Sequence, residues 1–301
     1  MAAESLKDLR RRLRSIRSIR QITRAMEMVA AAKLRRVQTR LEAGRPYAAK
    51  LQELLAHLSA STSTEAHPML RPMPEGGGRR KLLVLFTADR GLCGSFNANL
   101  IGAAEQSLTQ APRAEWDLVC VGKHGRNHFA RRGWNIVHEI IGLHGEPDLD
   151  HARRLAGLLE EQYRSGQYDS IWLLYAEFRS TVSNQPRVVA YLPMGPETLA
   201  EVADEPGQRI QEEAPLEYLF EPGAETVFGS LLPRYLVSRL YIAMAEHGTS
   251  EHSSRMVAMN NATKNCGEMD EDLTLQINKA RQTTITNELL DIVGGAEALH
   301  E

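Results

Sequence analysis

The sequence predicts a small α/β domain joined to a long antiparallel coiled coil, and three observations support this. Residues 224–301 keep a helical spacing of apolar residues almost without a break, and residues 4–41 keep the same spacing. Between them, residues 81–192 alternate strand-like runs with helical ones. Because each terminal helix is too long to be stable alone, the two are expected to pair as a shaft closed by the α/β segment.

The first helix is predicted over residues 1–58. Its apolar residues recur at steps of three and four from residue 6 to residue 41. Two consecutive steps of three at Ile16–Ile22 interrupt a strict heptad and predict a locally overwound supercoil. Pro46 predicts a kink, not an end, because leucines keep the helical period as far as Leu58.

Charge is distributed unevenly along a chain whose formal net charge is only −2. Residues 1–40 contain ten Arg and two Lys against three acidic residues, so the first helix is a basic rod. Three widely spaced cysteines indicate neither a disulfide framework nor a metal pattern, and they fit a reducing compartment. No apolar run reaches the ~18–20 residues that a membrane span needs, and helical periodicity from the start argues against a secretory signal.

The central segment reads as a Rossmann-like α/β domain over residues 81–195. Linkers are predicted at 59–80 and, leading to a foot, at 196–223. Strands are predicted at 81–86, 116–122, 134–139, 170–178 and 186–192, and helices at 95–108, 123–132 and 149–165.

One turn of this domain is a candidate for chemistry. Asp89–Ser95 follows the first strand and carries two glycines, as phosphate-binding turns do. Its spacing matches neither nucleotide-binding fingerprint, so glycines that permit a tight turn are the favoured interpretation. Cys93, beside a helix start, is a candidate for a lowered thiol pKa, but no His–acid pair accompanies it.

The histidines and methionines do not form a site in the sequence. His124 and His128 have the spacing of two metal ligands but lack a third. His247 and His252 lie in a polar part of the last helix and are interpreted as solvated. Five methionines fall on helix-core spacing and are interpreted as coiled-coil filler: Met26, Met28, Met256, Met259 and Met269. No catalytic residue, cofactor site or metal site is predicted.

The last helix, predicted over residues 224–301, ends in a segment that is apolar on most sides. Leu289–Leu299 contains few polar residues, and a helix of that kind is normally buried. A projecting apolar tip is therefore expected to lie inside another protein.

Several motifs, taken in order along the whole chain, resemble the gamma subunit of F-type ATP synthases. They are the run from Ala25 to Arg36, Arg45–Tyr47, Asp89–Gly94, Leu231–Tyr235, Ser250–Met259 and the stretch from Asn278 to Gly295.

The resemblance implies a central-stalk rotor that couples ion flow through a membrane ring to ATP synthesis or hydrolysis and regulates ATPase activity. It implies a non-catalytic subunit without a cofactor, one copy per complex, with catalysis on the beta subunits. The implied partners are a hexameric ring of alpha and beta subunits, an epsilon subunit and the membrane ring of c subunits, with no nucleic acid. The implied location is peripheral, on the cytoplasmic side of the inner cell membrane.

The resemblance also assigns contact residues. The shaft would meet the alpha/beta ring through Met26, Arg255, Gln282, Thr286 and Glu288. The apolar bearing at the tip would comprise Leu289, Ile292, Val293 and Leu299, and the foot facing epsilon and the membrane ring would comprise Tyr218, Phe220 and Glu221.

Two alternatives from other classes remain open at this point. A nucleic-acid-binding coiled coil would explain the basic first helix, and steep salt dependence of DNA affinity would favour it. A Rossmann-like oxidoreductase would explain the middle domain, although its glycine fingerprint is missing. Neither alternative explains the apolar tip. The sequence does not decide the coupled ion or the main direction of the reaction.

Overall fold

A computed structural model of the chain describes residues 5–61, 69–70, 80–181, 183–194, 221 and 223–297. The chain divides into two compact units. The first comprises Met1–Ala30 and Met256–Glu301, and the second comprises Ala31–Arg255.

The order of elements confirms the prediction of two long terminal helices around an α/β domain. The elements are α1 (Leu6–Ser61), β1 (Lys81–Phe86), α2 (Phe96–Leu108), β2 (Trp116–Val121), α3 (Lys123–Arg131), β3 (Ile136–Ile140), α4 (Leu149–Arg164), β4 (Ser170–Phe178), β5 (Asn184–Leu192) and α5 (Ala224–Glu297). A short 3₁₀ helix, Arg113–Glu115, precedes β2. Every predicted strand and helix of the central domain starts and ends within two residues of the observed one.

The second unit is built on a five-stranded mixed sheet in the order β3-β2-β1-β4-β5. The first four strands are parallel, and β5 runs antiparallel to β4. Successive side chains of β1 point to opposite faces. Leu82 and Val84 pack with α4 and with parts of α1 and α5, whereas Leu83 and Leu85 pack with α2 and α3. The sheet is therefore covered on both faces, as is usual where strands run parallel.

Helix α1 does not end at its proline. It continues through Pro46 to Ser61, which confirms that the helical period beyond the proline is real. Two residues earlier, Gly44 lets α1 approach α5 closely, because a Cβ there would lie 3.1 Å from Ile242 Cδ1. The kink predicted at Pro46 stays a prediction.

The first unit is an antiparallel pair formed by the start of α1 and the end of α5. Arg17 pairs with Asp270, Thr23 with Thr263 and Glu27 with Asn260, so residue numbers rise along one helix as they fall along the other. The buried apolar residues of this seam are Leu9, Ala30, Met259, Cys266 and Leu273.

The predicted interruption of the heptad was wrong, because it placed the wrong residues in the seam. Ile19 and Ile22 are 46% and 56% exposed, whereas the polar Thr23 is buried. The seam follows Ile16, Arg20 and Thr23, which keeps steps of four and three. The assignment of Met28 and Met269 to the helix core was wrong for the same reason, because both are exposed. Asp270, the neighbour of Met269, faces the arginines of α1 instead.

The helices that the structure describes include none that is long and apolar enough to cross a lipid bilayer.

Candidate functional site

The end of α5 in the first unit has an exposed apolar surface. Every residue from 281 to 290 is exposed, and so are Ile292 and Val293. The antiparallel pairing places the start of α1 at Leu6 opposite residues near 280. The last part of α5, residues 281–297, therefore continues for roughly 25 Å with no described partner helix.

The predicted bearing residues lie on this segment, which we call the free end of α5 (residues 281–297). Leu289, Ile292 and Val293 are 57%, 68% and 59% exposed. Isolated helices with this much exposed apolar surface gain little from folding alone, so such a surface marks a contact site. Leu299, the fourth predicted bearing residue, lies outside the described residues.

Three predicted contact residues are also exposed on the free end. The Thr286 hydroxyl donates to the Gln282 carbonyl oxygen over 3.0 Å, a bond within the helix itself. Among the described residues, the side chains of Gln282 and Glu288 have no hydrogen-bond partner. Their polar groups are available to another chain.

Met26 lies on α1, partly buried beside the seam. Its neighbour Glu27 accepts a hydrogen bond from the Asn260 side chain over 2.8 Å. A charge placed at Met26 would thus lie next to a polar layer that holds α1 and α5 together.

Three polar layers fix how the two helices of the first unit pair. Besides the Glu27–Asn260 layer, the hydroxyls of Thr23 and Thr263 lie 2.8 Å apart, and Arg17 Nε donates to Asp270 over 2.8 Å. A shift of either helix by one turn would separate these partners. Polar layers of this kind specify the register of a coiled coil.

Arg255, the remaining predicted contact, faces inward in the second unit. Its Nη2 lies 2.7 Å from Glu251 Oε1, and their side chains are only 12% and 3% exposed. The same atom donates to the Arg90 carbonyl oxygen over 3.2 Å. Burial raises the pKa of Glu251, and the Arg255 charge opposes that shift. Arg255 therefore ties α5 to the loop after β1.

The loop after β1 is held by its own carboxylate. Asp89 Oδ1 accepts a hydrogen bond from the Lys123 amide, and Oδ2 accepts from the amides of Gly142 and His144. These amides follow β2 and β3, at the sheet edge where doubly wound folds bind phosphate. In this chain the Asp89 carboxylate already accepts hydrogen bonds from those amides, which supports the interpretation of this turn as structural.

Cys93 does not have the lowered pKa that its position beside a helix suggested. The side chain is buried, and burial raises the thiol pKa. The expectation was wrong because desolvation of the thiolate outweighs the favourable Arg255 charge and the hydrogen bond from Asn97.

The interpretation of His247 and His252 as solvated was also wrong. Both are buried, 5% and 2% exposed, within the polar stretch Glu246–Ser253 of α5. The His247 ring lies between Phe86 and Phe96, and burial lowers its pKa to about 4.

The end of β4 and the segment after it cover this stretch. Ser250 donates to the carbonyl oxygen of Ala176 in β4, and Ser253 donates to that of Thr181, which follows β4. The signal in the sequence was the density of small residues, which lets other backbone approach a helix closely.

The remaining predicted positions are those of the foot and the histidine pair of α3. Tyr218 and Phe220 of the foot lie outside the described residues, and Glu221 is exposed. His128 pairs with Glu105 over 2.8 Å. Within the described ranges, no three His, Cys, Asp or Glu side chains are grouped to hold a metal ion.

Comparison with known proteins identifies the family. The profile of the family described as ATP synthase matches residues 5–299. The ATP synthase gamma chain of Pelotomaculum thermopropionicum is 41% identical over 295 residues, covering 98% of this chain and 99% of the relative. That of Moorella thermoacetica is 43% identical over 297 residues, with the same coverage.

Solved structures of ATP synthases contain chains with a similar fold. The central stalk/c-ring structure of Tetrahymena thermophila mitochondrial ATP synthase includes a chain with a TM-score of 0.58 and 25% identity, over 80% of this chain and 99% of that chain. A chain of the Euglena gracilis mitochondrial ATP synthase, in an OSCP/F1/c-ring structure, shares the fold with a TM-score of 0.64 and 19% identity, over 98% of this chain and 94% of that chain. From the family match and the full-length relatives, the chain belongs to the ATP synthase gamma-chain family.

Proposed function

We propose that this chain turns as the shaft of a rotary ATP synthase and that the free end of α5 is the part enclosed by the catalytic ring. As a gamma chain it is a non-catalytic subunit of the central stalk, and the catalytic sites lie on the beta subunits. The observation that carries the proposal is the exposure of the free end, where Leu289, Ile292 and Val293 face solvent. The nucleic-acid-binding and oxidoreductase alternatives have no support from the family.

The partners follow from the family and its structural neighbours. The Tetrahymena structure is of a central stalk with its c-ring, and the Euglena structure contains F1 and a c-ring. We infer that this chain meets alpha and beta subunits around its shaft and epsilon and the c subunits at its foot, near Tyr218, Phe220 and Glu221. Its location would be peripheral, on the cytoplasmic side of the inner cell membrane.

The tip suits a bearing because apolar contacts are not directional. Leu289, Ile292 and Val293, with Leu299 beyond the described residues, would turn inside a sleeve without breaking strong hydrogen bonds at each step. The polar side chains of Gln282, Thr286 and Glu288 would make contacts that differ between rotational states. Coupling requires such differences in binding free energy.

Arg255 remains a proposed contact of a different kind. Because most of its donors are used by Glu251 and by the loop after β1, little of its side chain is available to a partner. Its effect on the ring would pass through that loop.

The pairing of α1 with α5 would transmit torque. If the two helices slid past each other, rotation at the foot would be lost before it reached the tip. The three polar layers oppose such sliding, because a shifted register would leave Asp270, Thr263 or Glu27 without its partner.

Substitution of Met26 tests the proposal. Met26→Lys places a charge beside the Glu27–Asn260 layer, whereas Met26→Leu keeps the position apolar and serves as the control. In membrane vesicles that contain the whole complex, ions pumped per ATP hydrolysed should fall for Met26→Lys and stay unchanged for Met26→Leu. An unchanged ratio for Met26→Lys would remove Met26 from the coupling surface.

A further inference from the structure

The second unit contains a cavity that the rotor function does not explain. It has a volume of about 670 Å³ and lies between α1, α4 and α5. Its apolar lining includes Ala43, Leu149 and Val237, and the rings of Tyr47 and Tyr241 form part of its wall. Small-molecule sites have this size and this mixture of aliphatic and aromatic lining.

Three arginines from three different helices line the same cavity. They are Arg40 of α1, Arg153 of α4 and Arg234 of α5, and none of the lining residues is acidic. Three arginine side chains thus line an apolar space that has no lining carboxylate. A guanidinium group offers several donors in one plane and no acceptor, so it suits carboxylate, phosphate or sulfonate.

The nearest acidic residues do not neutralise this group of arginines. Arg153 pairs with Asp150 over 3.1 Å, but both side chains are mostly exposed, and such pairs contribute little. Lys33 donates a hydrogen bond to the Glu146 carboxylate and is the main cause of its lowered pKa, to which the Arg40 charge adds a smaller contribution. Among the described residues, no carboxylate lies within ion-pair distance of Arg40 or Arg234.

We propose that this cavity binds an organic anion whose apolar body has the size of two or three fused or linked rings. The anionic group would lie among the arginines, and the apolar body would lie against Tyr47, Tyr241 and Val237. A protein helix is less suitable, because two turns of a helix ~10 Å across occupy more than this volume. The site would join α1, α4 and α5, and it does not depend on the rotor function.

Fluorescence titration of the purified full-length chain tests the proposal. The probe is 8-anilinonaphthalene-1-sulfonate, and N-phenyl-1-naphthylamine supplies a similar ring system without the anion. We expect saturable binding of one sulfonate per chain, at least tenfold weaker binding of the neutral compound, and weaker sulfonate binding at high salt.

Variants assign the binding to this cavity. Arg40→Gln combined with Arg234→Gln should weaken sulfonate binding at least tenfold. Arg131→Gln, an exposed arginine on α3 outside the cavity, should leave it unchanged. Thermal melts of both variants would show that they are folded.

Competition separates a small anion from a protein partner. Decanoate should displace the probe, and 1-decanol, which lacks the charge, should not. The proposal would be overturned by equal binding of the neutral ring compound, by no loss of affinity in the double variant, by no saturable binding, or by displacement with poly-L-glutamate but not with decanoate.

Discussion

The carbonyl oxygen of Gly145 packs directly against the Cα of Gly248, so the loop after β3 touches the backbone of α5. A Cβ at Gly248 would overlap that carbonyl group, so one of the two backbones would have to move. On either side of Gly145, the amides of His144 and Glu146 are held by hydrogen bonds to Asp89 and Leu143. This contact lies in the middle of the buried stretch Glu246–Ser253. It explains how a polar part of a long helix can be fully covered.

Gly248→Ala should therefore destabilise the chain by about 1–3 kcal/mol, the range for overpacking against a neighbour that cannot yield. Gly229→Ala in the same helix is the matched control, because nothing lies within 4 Å of its added methyl group. The control should be neutral or stabilising by roughly 0.5–1 kcal/mol, since alanine favours helix over glycine. Urea denaturation of both variants measures the difference, and equal effects would mean that the contact is not tight.

Acid should destabilise the second unit through its buried histidines. Burial lowers the pKa of His247 to about 4 and that of His252 to about 3. In the unfolded chain their pKa is ~6.5. Their contribution to the free energy of unfolding is therefore complete above that pH and is lost as the pH falls toward 4. At about pH 4.5 the loss from His247 alone should be roughly 2–3 kcal/mol.

Urea denaturation at pH 7 and at about pH 4.5 checks this prediction. His247→Leu removes one of the two groups and should lose less stability between these pH values than the unsubstituted chain. Glu251 should make the chain more stable as the pH falls, because burial raises its pKa and protonation removes a buried charge. A pH dependence that is the same in both proteins would contradict the assignment to His247.

Arg255 and Glu251 should stabilise the fold only when both are present. Arg255→Gln leaves a carboxylate that is 3% exposed without its counter-charge, which should cost about 3–5 kcal/mol. Adding Glu251→Gln should recover much of that loss, because the uncompensated buried charge is gone. Arg164→Gln breaks an exposed pair with Glu160 and should cost less than ~1 kcal/mol. If the double variant were no more stable than Arg255→Gln, the stability lost in Arg255→Gln would come from its contacts with the loop after β1 and not from the unpaired charge of Glu251.

The free end of α5 should tolerate polar substitution in the isolated chain. Ile292→Ser combined with Val293→Ser changes two side chains that are mostly exposed, so stability should change by less than ~0.5 kcal/mol. Leu273→Ser, in the same helix but 5% exposed in the seam, should cost about 2–4 kcal/mol. Circular dichroism melts of the full chain measure both. Unfolding of the Ile292/Val293 variant would identify the tip as core and contradict the bearing proposal.

The sequence predicted the elements well because their signals are local. Strands such as Lys81–Phe86 are short apolar runs between turns, and α1 and α5 repeat one spacing over many turns. These patterns depend on the chain itself, and the structure bears them out to within two residues in the central domain.

Sequence reasoning failed where burial depends on a distant partner. Thr23 is buried because a hydroxyl of α5 meets it, whereas Ile19 was preferred only because it is apolar. His247 appeared solvated because its neighbours in sequence are polar, yet Phe86 of β1 and Phe96 of α2 pack against its ring. Arg255 matched a contact motif, but no local pattern shows that Glu251 and the loop after β1 already bind it.

The most direct test of the account is the accessibility of residue 289 before and after assembly. Leu289→Cys places a thiol on the free end of α5, while the three native cysteines are buried and supply the background rate in the unsubstituted chain. Maleimide labelling should be fast in the free chain, because Leu289 is 57% exposed. After reconstitution with alpha and beta subunits, labelling should slow at least tenfold while the complex hydrolyses ATP. An equal labelling rate in the active complex would contradict the claim that the ring encloses this segment.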